Sequence, residues 1–120
     1  MLISIRYNRV NGTHMTEHSS LIQNVLRGEW NSDALVMSDW FAVYSVTEAI
    51  NAGLDLEMPG DKKFRQYELV DRAVTAKKTT PRILRERANK VLELVQKCAK
   101  GAPEVCDIKG LWPNSFKFVP

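Results

Sequence analysis

Apolar and polar positions along the chain switch repeatedly between a two-residue and a 3.6-residue period, so strands and helices should alternate. Leu2 to Tyr7 is a short β-rich run that gives way to Asn8-Arg9-Val10-Asn11-Gly12, whose Asn and Gly residues suit tight turns and positive φ. Thr16 to Leu26 places Leu21, Ile22, Val25 and Leu26 on one helical face, with Gly28 as the expected C-cap. After the turn-like Asn31-Ser32-Asp33, the stretch Ala34-Leu35-Val36-Met37-Ser38 reads as a strand buried on both faces. Ser45-Val46-Thr47-Glu48 has the form of a capping box opening a helix to about Asn51, with Gly53 closing it. Leu54-Asp55-Leu56-Glu57-Met58 alternates apolar and acidic residues up to Pro59-Gly60, which predicts a third short strand.

The second half is helical. Phe64, Tyr67, Leu69, Val70, Ala73 and Val74 predict a helix over about 64–77. Thr80 then sits as an N-cap before Pro81, and Leu84, Ala88, Val91, Val95 and Cys98 recur at helical spacing until Gly101-Ala102-Pro103. Beyond residue 103 no period is evident, and Trp112, Phe116 and Phe118 stand on what reads as an irregular tail over 104–120. The order β, α, β, α, β, α, α calls for an α/β fold: three consecutive βα units with parallel strands and right-handed crossovers, ending in a long amphipathic helix.

Composition narrows this picture without redirecting it. At 120 residues the chain has room for one modest domain, and 44% hydrophobic with 26% charged is ordinary for a globular protein. The net charge of +3 hides a division, since residues 1–60 are acidic on balance and residues 61–100 basic. A basic half can mark a nucleic-acid surface, but here Glu86 and Glu93 interleave with the basic residues and no aromatic platforms alternate with them, so no nucleic-acid partner is expected. No run of about 18 apolar residues is present, and Met1 to Ile5 meets Arg6 too soon for a signal peptide, so no membrane partner or secretion signal is expected and the compartment stays open. The sequon Asn11-Gly12-Thr13 is then expected to go unused. Cys98 and Cys106 lack metal-ligand company and read as free thiols, and His14 and His18, four apart without a third ligand, read as exposed polar residues. No metal or cofactor is called for.

The candidate chemistry lies where the buried strand runs out. Asp39 and Trp40 follow Ser38 directly, and in parallel α/β folds the C-terminal strand ends are where ligands and catalytic groups collect. From position alone Asp39 is either a catalytic carboxylate or a turn cap.

Four segments in register carry a resemblance: Tyr7-Asn8-Arg9-Val10-Asn11-Gly12-Thr13, Val25-Leu26-Arg27-Gly28-Glu29-Trp30, Leu35-Val36-Met37-Ser38-Asp39-Trp40, and Ala49 through Gly60. Together they resemble glycoside hydrolase family 3, in particular fungal β-glucosidases, over about residues 3–103. The resemblance implies that residues 1–103 are the C-terminal part of an incomplete TIM-type (β/α)8 barrel, which takes about 250 residues when whole. It implies a retaining hydrolase of β-glucosides or short β-gluco-oligosaccharides with Asp39 as nucleophile, Trp40 as an apolar wall beside the sugar, and Tyr7 reaching toward the carboxylate. A retaining mechanism also needs a second carboxyl roughly 5 Å away. The resemblance puts that general acid outside this chain, so Asp55 and Glu57, two apart on one strand, are expected to be mainly structural, and Glu48 a cap. Arg6 and Ser4 stand where the family tends to have a small residue and a methionine, which bears on the first strand's part in the sugar site. The alternative is that the isolated chain is an inactive truncated product with at most weak sugar or partner binding.

Overall fold

The structure, a computed structural model, describes residues 1–60 and 63–101. Strand β1 (Leu2–Ile5) pairs in parallel with β4 (Leu35–Ser38), Leu2 opposite Leu35 and Ile5 opposite Ser38. On the other side of β4, Met37 forms a parallel bridge with Leu56. The mixed α/β class and the parallel arrangement therefore hold, and successive strands lie side by side. Alternation turns Ile5, Val36 and Ser38 toward the helices, where Ile5 and Val36 join Ile22, Leu26, Val43, Ala49, Ala52 and Leu54 in one buried cluster.

Several elements differ from what periodicity predicts. The strand expected at 54–58 is reduced to that single bridge residue, because the ladder is partly built from a side chain: the Val36 N–H donates to Asp55 Oδ2 at 2.8 Å. Strand β1 stops at Ile5, and the segment expected as a loop folds into a small hairpin, β2 (Arg9–Val10) against β3 (Thr13–His14), around Asn11 and Gly12 with φ of 49° and 82°. Two consecutive positive φ values are what a tight two-residue hairpin turn requires.

The helix expected over 16–26 is split and displaced. A 3-10 turn, Met15–Glu17, precedes a wider π-type helix, Ser20–Glu29, closed by Trp30 N–H donating to Val25 O at 2.9 Å. Gly28 lies inside it and does not cap it; the chain leaves through Asn31 at φ 47°. Helix α1 (Thr47–Ala52) ends as predicted at Gly53, φ 105°, and its first turn is held by Ser45 Oγ accepting from the Ala49 N–H at 3.2 Å, without the reciprocal contact from Glu48 that a capping box would add.

Helix α2 (Tyr67–Thr75) is shorter than the predicted 64–77, with Phe64 outside it but packed on the core. Helix α3 (Pro81–Gly101) opens as predicted, Thr80 Oγ1 accepting from the Ile83 N–H at 3.3 Å. Its inward stripe is rotated from the predicted one: Leu84 and Val91 are half-buried, whereas Ala88, Val95 and Cys98 are exposed. The cause is ionic, since Arg87 is drawn inward to Asp55 and to Gly53 O. The tail over 104–120 lies outside the described residues.

Candidate active site

Asp39 follows β4 directly and is held from three directions. Its N–H donates to Ile5 O at 2.7 Å, its Oδ1 accepts from the Trp40 N–H at 2.7 Å, and Arg6 Nε lies 3.8 Å from Oδ2. The carboxylate keeps 33% of its surface exposed, so it is fixed yet reachable. Ser38, fully buried, fixes the other flank: its Oγ accepts from the Met58 N–H at 2.8 Å, and Phe41 N–H donates to Met58 O at 3.0 Å. Phe41 adopts φ 56°, a conformation a bulky residue rarely takes, and this sharp turn leaves Trp40 and Phe41 half or more exposed beside Asp39. A cavity of about 140 Å³ bordered by Phe41, Val43, Tyr44, Glu57, Lys63 and Phe64 adjoins this turn.

Tyr7, beyond the end of β1, is half-exposed and belongs to the same rim. Among the described residues the ion-pair partner of Asp39 is Arg6, which sequence reasoning flagged only as a departure. His14 and His18 are half-buried, not exposed. His18 Nδ1 accepts from the Leu21 N–H at 3.3 Å, and the His14 ring stacks on Tyr44 with centroids 3.6 Å apart and planes 16° from parallel. The His14 contact has no local sequence signal, because Tyr44 lies far along the chain, whereas the His18 contact spans only three residues.

Of the acids of the third strand, Asp55 is buried toward the helices, whereas Glu57 stands at the border of this cavity. Asp55 Oδ2 takes Arg27 Nη2 at 3.0 Å as well as the Val36 N–H, and Oδ1 takes Arg87 Nη1 at 2.9 Å. Burial pushes the Asp55 carboxyl above its ordinary value, opposed by the Val36 hydrogen bond and the two guanidinium groups. Glu57 pairs with Arg65 at 3.5 Å, and burial lowers the Arg65 guanidinium from its ordinary value. Asp55 thus ties its segment to two helices through Arg27 and Arg87, whereas Glu57 pairs with Arg65 in the segment before α2.

Comparison with known proteins gives this arrangement its context. The glycosyl hydrolase family 3 N terminal domain matches residues 1–94. The probable β-glucosidase J of Aspergillus fumigatus is 52% identical over 99 residues, 82% of this chain and 11% of that protein. The probable β-glucosidase I of Aspergillus terreus is 50% identical over 106 residues, covering 88% of this chain and 12% of the relative. Among solved structures, a β-glucosidase from Kluyveromyces marxianus in complex with glucose superposes with a TM-score of 0.75 at 35% identity, covering 78% of this chain and 11% of that one. β-Glucosidase 3B from Thermotoga neapolitana gives a TM-score of 0.65 at 32% identity over 75% of this chain and 14% of the other. The chain thus spans about a ninth of the length of these fungal relatives. With nearly its whole described length matched in both sequence and fold, it belongs to the glycosyl hydrolase family 3 N terminal domain, a family of glycosidases.

Proposed function

We propose that this chain is a segment of a retaining β-glucosidase, contributing the last three strand–helix units of a (β/α)8-type barrel and, with Asp39, the nucleophile. The observation that carries the reading is the placement of Asp39 at the C-terminal end of a buried parallel strand, held by Ile5 O and Trp40 N–H with its carboxylate still accessible. In the first step the ionised Asp39 attacks the anomeric carbon while a general acid protonates the departing oxygen; in the second, the same group as base activates water against the glycosyl-enzyme ester. Trp40 and Tyr7 line the sugar, the indole against its apolar face. We take the general acid to come from outside these 120 residues, as the family resemblance implies, and read Asp55, engaged by Arg27 and Arg87, and Glu57, paired with Arg65, as structural.

The second reading concerns the isolated chain, whose described residues hold one parallel strand pair extended by a single bridge beside a small hairpin; it binds sugar weakly at most and does not turn it over. The test grafts residues 1–94 into a full-length β-glucosidase of the family. Asp39→Gly in that chimera should lower aryl-glucoside turnover on the order of 10⁴-fold or more, and azide should restore it with the α-glucosyl azide as product. Unchanged turnover, or loss without azide rescue of inverted product, contradicts the nucleophile assignment. The purified 120-residue chain, assayed beside it, should show no turnover.

A further inference from the structure

We propose that His14 is a positioning residue whose imidazole, held as the neutral Nδ1–H tautomer, clamps the β2–β3 hairpin and the Tyr7 backbone onto the loop that follows Asp39. The proposal rests on the Asp39 assignment only for what is being positioned. The tautomer follows from the partners. Arg9 Nε and Nη2 lie 3.1 and 2.9 Å from His14 Nε2, and a guanidinium offers donors only, so Nε2 must accept. A neutral imidazole then carries its proton on Nδ1, and Nδ1 faces Tyr7 O, an acceptor, at 3.4 Å. Both ring nitrogens are satisfied in this form and in no other.

The ring face supplies the second half of the clamp. Tyr44, stacked on it at 3.6 Å, belongs to the loop that leaves Asp39 and Trp40. One neighbouring contact runs the same way, Thr16 Oγ1, fully buried, donating to Ala42 O at 2.9 Å, while Met15 N–H, donating to Asn8 O at 3.1 Å, closes the base of the hairpin itself. The segment after β1 and the segment after β4 are thereby joined across the rim, and the His14 side chain touches Tyr7, Arg9 and Tyr44 together. A ring so placed restricts Tyr7 and the Asp39–Tyr44 turn to one relative arrangement, which is what a sugar site built from two loops requires.

The test reads the tautomer directly. In the 120-residue chain labelled with ¹⁵N-histidine, at about pH 8, above the ordinary histidine range, two-bond ¹H–¹⁵N correlations should show a protonated Nδ1 and a bare Nε2 for His14. The His18 signals are identified by their loss in His18→Gln. A protonated Nε2, or averaging between the two tautomers, overturns the proposal. His14→Phe keeps a stacking ring but neither hydrogen bond; amide exchange at Asp39 should then speed up about tenfold while that of Ile50 to Gly53 stays unchanged. No change at Asp39, or an equal change at both places, also overturns it. Neither readout involves catalysis, so a covalent sugar label found elsewhere would remove the Asp39 assignment and leave these results standing.

Discussion

At the scale of single residues the candidate site is built from side chains that serve the backbone next to Asp39. Ser38 is the clearest case, since its buried hydroxyl receives the Met58 N–H on the strand that bridges β4. Ser38→Ala leaves that N–H without its acceptor in a dry position, and should cost about 1–3 kcal/mol in urea-unfolding stability. Asp55 plays a similar part for Val36, with the added weight of two arginines. An acid whose folded value lies above the unfolded 3.8 binds its proton more tightly in the native state. Its contribution to stability is therefore full below the unfolded value and is lost as pH rises through the folded one. Arg87→Met removes one of the two compensating charges and should cost about 3 kcal/mol at neutral pH. The cost should shrink in acid, where Asp55 takes up its proton; a loss independent of pH would contradict the ionic role. Asp39 was legible in the sequence as an address, because a buried apolar run ending in an acid marks a strand end. The roles of Arg6 and His14 were not, because each depends on a partner brought close only by the fold: Asp39 across the strand pair, and Tyr44 across the rim.

At the scale of elements, local chemistry specified ends and tertiary contact specified the rest. Gly53 shows the first. Its φ of 105° closes α1, and an added Cβ would meet the Gln23 amide nitrogen and, at 3.0 Å, the Ile22 methyl. Gly53→Ala should cost about 1–3 kcal/mol, read as a lower thermal midpoint, and should break the Gln23 Nε2 hydrogen bond to Ala52 O. Thr80 with Pro81 and the Asn11-Gly12 turn were equally readable, since each is a backbone requirement met by particular residues. The third strand and the inward stripe of α3 were not readable. Both are decided by Asp55, which replaces a carbonyl in the ladder and pulls Arg87 toward the core, against what apolar periodicity alone implies.

At the scale of the molecule, the described residues form a layer of parallel strands with helices on one side. On the other face Leu2 is 43% exposed, and Ser4 is exposed beside it. In the barrel segment proposed above, this face would line the interior. No helix among the described residues is long and apolar enough to cross a membrane. The family was readable from four motifs in order. The proposed chemistry was less legible, because the chain spans only about a ninth of the length of its fungal relatives. What the chain does carry is Asp39, a carboxylate fixed at a strand end yet still reachable. The most direct measurement is covalent trapping: the chimera bearing residues 1–94 is treated with a 2-deoxy-2-fluoro-β-glucoside carrying a good leaving group, and the labelled peptide is sequenced by mass spectrometry. The account predicts a fluoroglucosyl ester on Asp39; a label on any other residue, or inactivation without a label, would contradict it.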